Sequence, residues 1–134
     1  MIPEELLYNK THEWAAVEMD PSGAKIATVG LSAFALKVLT DLVYIDLPKV
    51  GRRVTAGESF GEIESVKAVS DLYSPVDGEI VAVNTELANR LETLAADPYG
   101  EGWMVKICIS DEAGLASLLD CVAYGKQCAE ESHS

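Results

Sequence analysis

The sequence predicts a mainly β fold carrying two helical pieces, and three observations lead there. Short runs rich in β-branched and aromatic residues follow one another closely, at 14–19, 25–29, 41–47, 58–66, 68–74, 78–83 and 103–109. Turn formers punctuate them: Asp20-Pro21-Ser22-Gly23, residues 48–51, Gly57, Pro75, Asp77-Gly78 and the loop around Pro98. In the last run Trp103, Val105, Ile107 and Ile109 alternate with Met104, Lys106 and Cys108, so one face is apolar and suited to line a core.

Taken in order, runs 14–19 and 25–29 form an opening hairpin, because Pro21 presets φ and Gly23 accepts a positive φ at the turn. Ser32 can cap a short helix over 33–39, whose Phe34, Val38 and Leu39 fall near one face and would plug a barrel end. Residues 85–94 place Leu87, Leu91 and Leu94 at helical spacing, giving one or two turns of surface helix. A stronger helix is expected from Ser110. That residue can cap, Asp111 and Glu112 suit the first turn, Leu115, Leu118, Leu119 and Val122 form a stripe, and Gly125 is a natural stop. Asp41-Leu42-Val43-Tyr44 is loosely echoed by Asp71-Leu72-Tyr73-Ser74, each followed by a proline and then a glycine, as two related halves of a sandwich would be.

A chain of 134 residues suits one domain, placed at 1–128, with the small and polar residues 129–134 as a frayed tail. Apolar residues at 49% with 24% charged suit a folded protein rather than a disordered one. Ten basic against 22 acidic side chains leave a net charge of −12, which argues against nucleic acid or an anionic membrane as a partner and favours basic protein surfaces. Cys108, Cys121 and Cys128 form no CxxC pair, and no signal peptide is evident, so reduced thiols are expected. The apolar stretch 29–39 is interrupted by Gly30, Ser32 and Lys37 and falls short of the ~18 residues of a membrane span. A soluble monomer is expected.

The stretch Glu62-Ile63-Glu64-Ser65-Val66-Lys67-Ala68-Val69-Ser70-Asp71 is the most informative. Between Glu58 and Glu79 there are six acids and one base, Lys67, flanked by two β-rich arms that place it at or near a hairpin tip. The tip lacks the Asn-Gly or Asp-Gly of the tightest turns. A Schiff-base lysine needs desolvation or adjacent cations to release its proton, and the sequence around Lys67 supplies neither. A lysine modified by a dedicated enzyme needs only to project. On local charge alone, a plain surface lysine among acids is the simpler reading.

The remaining candidates read as structural. His12 and His133, with three scattered cysteines, lack metal-ligand spacing, so no metal site and no catalytic residue are expected. Cys121 and Cys128 read as small core residues, Trp14 and Trp103 as anchors, and Gly100 and Gly102 as turn residues outside any phosphate loop.

Glu64-Ser65-Val66-Lys67-Ala68, continuing through Ser74-Pro75-Val76-Asp77-Gly78-Glu79-Ile80, resembles the lipoyl-attachment segment of the H protein of the glycine cleavage system. His12-Glu13-Trp14, Val29-Gly30-Leu31-Ser32 with Phe34-Ala35, Leu47-Pro48 with Gly51, Asn84, and Pro98-Tyr99-Gly100-Glu101-Gly102-Trp103 are similar to that family in the same order, over about 7–124. The resemblance implies a flattened barrel-sandwich hybrid, lipoyl-domain-like, and a non-catalytic shuttle whose Lys67 bears one lipoic acid in amide linkage. It implies as partners a pyridoxal-phosphate glycine decarboxylase, a tetrahydrofolate-dependent aminomethyltransferase, an FAD-bearing dihydrolipoamide dehydrogenase and lipoate-attaching enzymes.

It also implies Glu13 and Asp71 as carboxylates that meet the cationic amine of a loaded arm folded into a cleft, against the plainer readings of a solvated strand-end charge and a hairpin residue. Service to 2-oxoacid dehydrogenases is the alternative. A biotin carrier fits less well, because Val66 and Ala68 replace the methionines that bracket its lysine. Thr40 stands where the family usually has glycine, Leu36 where glutamine is common, and Leu91 and Ala95 where proline and asparagine are typical. With no transit peptide before Ile2-Pro3-Glu4, a bacterial cytoplasm is expected, or a mitochondrial matrix for a processed eukaryotic chain.

Overall fold

The structure, a computed structural model, describes residues 3–132. Its strands in chain order are β1 (Leu7–Tyr8), β2 (Glu13–Met19), β3 (Lys25–Leu31), β4 (Leu42–Asp46), β5 (Arg53–Val54), β6 (Ser59–Ser65), β7 (Val69–Tyr73), β8 (Asp77–Val83) and β9 (Val105–Asp111). They form two antiparallel sheets, one ordered β1-β2-β3-β9-β8-β5 and one ordered β4-β6-β7. The expected mainly β barrel-sandwich is what forms, as two packed sheets rather than a closed barrel.

Alternation in each strand points one set of side chains into the space between the sheets. Ala27, Val29, Val105, Ile107 and Ile80 from the larger sheet meet Ile45, Phe60, Ile63 and Leu72 from the smaller in one core. The helix α1 (Ala33–Leu39) adds Ala35, Leu36 and Leu39 to that core, and Leu87 and Leu94 join from the segment after β8. Ser32 caps α1 as expected, its hydroxyl accepting from the Ala35 amide at 3.3 Å. Residues 85–94 divide into a 3-10 turn, Thr85–Asn89, and a separate helix α2 (Glu92–Ala96).

A second cluster lies outside the larger sheet, where Leu6, Tyr8 and Trp14 pack with Tyr124 of the last helix, α3 (Cys121–Ser132). Trp14 is fully buried and its indole N–H donates to the Pro98 carbonyl at 3.0 Å, so it is a structural anchor. Its cross-strand partner is Gly30, where a Cβ would stand 2.6 Å from the indole ring, so the glycine leaves the room that the tryptophan fills.

The C-terminal segment departs from its pattern. The expected helix from Ser110 does not form. Asp111 caps instead, accepting from the Ala113 amide, a 3-10 turn covers Glu112–Ser117, and Leu118 is extended. Leu119 exchanges two backbone bonds with Tyr8, at 2.7 and 2.8 Å. That long-range bridge overrides the local helical spacing. Asp120 then restarts the chain by accepting from the Ala123 amide, and α3 runs through Gly125 to Ser132. Residues 129–132 thus continue a helix where the sequence suggests a frayed tail, and His133 lies outside the described residues. The echoed segments at Asp41 and Asp71 fall in β4 and β7, the two edges of a single sheet, rather than in opposite halves.

Candidate functional site

The hairpin β6–β7 carries Val66 and Lys67 at its tip, and both are exposed. Neither residue has a positive φ, so the asparagine and glycine of a tight primed turn are not required. Ser65 closes the turn instead. Its amide donates to the Ala68 carbonyl at 2.8 Å, and its hydroxyl accepts from the Ala68 amide at 3.1 Å. The Val66 amide donates to the Asp41 carbonyl at 2.9 Å and ties the tip to the chain entering β4. Lys67 makes no ion pair among the described residues, so a firmly held turn presents a side chain committed to no neighbour.

Glu13 is completely buried at the start of β2 and is not a solvated strand-end charge. Its Oε2 accepts from the Tyr73 backbone amide at 3.0 Å and its Oε1 accepts from the Thr11 hydroxyl. Burial pushes its carboxyl up to about 7, against those hydrogen bonds, which favour the ionised form. Asp71 lies on the outer face of the smaller sheet, opposite Glu62, and accepts from the Ser59 hydroxyl at 3.3 Å and the Tyr73 hydroxyl at 3.5 Å. The two carboxylates are thus linked through Tyr73 and face different surroundings.

Beside the hairpin opens a cleft of about 220 Å³. Leu31, Phe34, Ala35, Val38 and Leu39 form its apolar wall, and Thr11, His12, Ser70 and Glu131 its polar rim. Ser70, on β7, follows Lys67 by three residues, so the two lie no more than ~10 Å apart along the chain. His12 holds the rim together: its Nδ1 pairs with the Tyr124 hydroxyl at 2.7 Å and its Nε2 with Glu131 Oε1 at 3.1 Å. Among the described residues no group of three His, Cys, Asp or Glu is placed to hold a metal ion.

Ser65, Tyr73, Thr11 and Glu131 escape a reading of the sequence. Ser65 had a local signal, a hydroxyl one position before the turn, but Glu131 acts across 119 residues through His12 and no local pattern marks it.

Two packed sheets with a lysine on a protruding hairpin define a lipoyl-domain-like barrel-sandwich protein. The sequence model of the glycine cleavage H-protein family matches residues 6–131. The glycine cleavage system H protein of Rhodopirellula baltica is 52% identical over 128 residues, 96% of each chain, and that of Thermotoga maritima is 50% identical over 124 residues, covering 92% of this chain and 96% of the other. The crystal structure of a glycine cleavage system H protein from Mycobacterium marinum superposes with a TM-score of 0.81 at 40% identity, over 94% of this chain and 98% of that one. The chain belongs to the glycine cleavage H-protein family.

Proposed function

We propose that this chain is the lipoyl-carrying shuttle of glycine cleavage, with Lys67 as the attachment residue. The observation that carries the reading is the exposed, uncommitted Lys67 at the end of a hairpin whose turn is closed by Ser65 and pinned to Asp41. The residues fit a lipoyl group. Lysine plus lipoyl spans ~14 Å, comparable to four extended residues, and the Ser70 rim of the cleft lies within that reach. When bound, the lipoyl group supplies a redox-active dithiolane that accepts an aminomethyl group and electrons. This chain's own residues anchor, shelter and present it, and catalysis belongs to the visiting enzymes. These are the pyridoxal-phosphate decarboxylase, the tetrahydrofolate-dependent aminomethyltransferase and the FAD-bearing dehydrogenase, with a lipoate-attaching enzyme to load Lys67. The names of the relatives give no comparable support to service of 2-oxoacid dehydrogenases.

Glu13 and Asp71 contribute differently in this reading. Glu13 sits beneath the Thr11 rim and acts by fixing the rim to β7, while Asp71 offers its charge on the outer face near the docking tip. No helix among the described residues is long and apolar enough to cross a membrane. Intact mass after expression with lipoate, followed by peptide mapping, tests the reading: a single lipoyl increment on the peptide holding Lys67 is expected, and Lys67→Arg should abolish glycine cleavage with the fold unchanged. A bare Lys67 in cells able to lipoylate it would defeat the assignment.

A further inference from the structure

A second cleft, of about 200 Å³, lies where the chain leaves β8 and returns towards β9, and it shares no residue with the cleft beside Lys67. The Asn84 amide donates to the Met104 carbonyl at 2.9 Å and holds the two segments side by side. The 3-10 turn Thr85–Asn89 and α2 supply one side of the cleft, and Glu101 with Trp103 the other. Asn84 Nδ2 donates to the Glu101 and Trp103 carbonyls, at 2.9 Å each. Both of its side-chain N–H groups are thereby engaged, the amide is fixed, and Oδ1 is an acceptor with no partner among the described residues.

Thr93 lines the cleft from α2 and is only 9% exposed, yet its hydroxyl makes no hydrogen bond among the described residues. No buried side-chain nitrogen or oxygen lacks a partner among those residues, so this hydroxyl opens to the cleft rather than into the interior. A side chain nine-tenths buried normally satisfies its polar group, and an idle one facing a cleft points to a polar ligand. Glu86, Arg90 and Glu101 stand exposed around it, and none makes an ion pair or a side-chain hydrogen bond with another described residue. Glu86 and Arg90 are four apart, the spacing that pairs charges on an α-helix. The 3-10 turn ends at Asn89, however, and Arg90 leaves it with φ −141°, so the guanidinium is not held by that carboxylate.

We propose that this cleft binds a free α-amino acid with an apolar side chain. Arg90 takes the carboxylate as a two-pronged donor, Glu86, Glu101 and Asn84 Oδ1 receive the ammonium, the Thr93 hydroxyl gains its missing partner, and Leu87 with Trp103 covers the side chain. A plain carboxylic acid would meet the two glutamates with no cation of its own, and a plain amine would leave Arg90 facing no anion. The cleft is smaller than the roughly 300–1,000 Å³ of sites for drug-sized ligands, which suits a single amino acid. Its charged groups are exposed and screened, so each contributes on the order of threefold in affinity, and binding is on the order of millimolar. The site goes beyond the carrier reading and does not depend on it.

The test uses the full chain at pH 7 and 0.15 M sodium chloride, where charges more than about 8 Å away are screened. The probes are L-valine, L-valinamide, which lacks the carboxylate, and 3-methylbutanoate, which lacks the ammonium, each followed by backbone amide shifts. Valine should perturb residues 84–93 and 101–103 and bind on the order of threefold more tightly than either analogue. Arg90→Gln should bring valine down to the level of valinamide, and Glu86→Gln combined with Glu101→Gln should bring it down to that of 3-methylbutanoate. Thr93→Val should weaken valine on the order of threefold, whereas Thr93→Ser, which keeps a hydroxyl, should retain binding. Glu92→Gln, which changes an exposed acid outside the cleft, should leave the preference intact. Either analogue binding as tightly as valine, a preference that survives Arg90→Gln, or no shift at 84–103 with valine at roughly tens of millimolar would overturn the proposal. None of these outcomes bears on whether Lys67 is lipoylated, which the mass measurement decides separately.

Discussion

Glu13 Oε2 accepts a hydrogen bond from the backbone amide of Tyr73 at 3.0 Å, so a buried carboxyl of the larger sheet fastens an edge strand of the smaller one. Burial raises that carboxyl from 4.5 to about 7. The folded state therefore holds the proton more tightly than the unfolded state does. The stability from that proton is fully present below pH 4.5 and is lost as pH rises through about 7. A shift of this size corresponds to about 3 kcal/mol. Glu13→Gln has no proton to lose. Urea unfolding should show the unaltered chain losing stability between pH 5 and 8 while the variant stays nearly level, and the variant should be the more stable of the two at pH 8. Parallel pH profiles for the two chains would contradict this.

Thr40 ends α1 with φ 62°, a conformation that strains a β-branched residue. Its amide still closes the helix onto the Leu36 carbonyl at 3.0 Å, and its hydroxyl bonds the Leu39 carbonyl at 2.6 Å. Thr40→Gly removes the steric cost and keeps the backbone bond. It should stabilise the chain by about 1 kcal/mol, a rise of roughly 3–5 °C in Tm. A lower Tm would show that the hydroxyl bond outweighs the strain.

These two positions also show what the sequence makes legible. The opening hairpin, the Ser32 cap of α1 and the Lys67 hairpin depend on residues close together in the chain, and all were readable. Glu13 was readable as a motif residue but its burial was not, because its partner Tyr73 lies 60 positions away. β1 and β5 have two residues each, too few to show any periodicity. Helical spacing from Leu115 to Val122 misled because Leu119 spends its backbone groups on Tyr8, and the same error hid Glu131 in a supposed tail. Local chemistry was legible and long-range pairing was not.

Tyr124 stacks on Tyr8 with ring centroids 4.3 Å apart, while its hydroxyl joins Ser32 to His12. Burial holds the phenol protonated, well above its ordinary range. Tyr124→Phe keeps the stack and leaves Ser32 and His12 Nδ1 short of a partner. A loss of about 1–3 kcal/mol is expected, together with faster amide exchange over residues 121–131 as α3 loosens from the cleft. Unchanged exchange in α3 would show that the stack alone seats the helix.

Asp46, Glu62 and Asp71 stand directly opposite one another across β4, β6 and β7, all exposed on one face. Like charges in register destabilise a sheet, each pair by some tenths of a kcal/mol. No basic side chain makes an ion pair with this row among the described residues. The row adjoins the hairpin that ends in Lys67, so its repulsion is placed where an approaching cationic protein surface would relieve it. Glu62→Gln removes the middle charge and both repulsive contacts. It should raise unfolding stability by about 0.5 kcal/mol, slow association at low salt with the aminomethyltransferase or the decarboxylase proposed above as partners, and flatten the dependence of that rate on ionic strength. Stopped-flow association across a sodium chloride series, beside a urea titration, reads both effects. A gain in stability with association unchanged would mean that the row burdens the sheet without steering any partner.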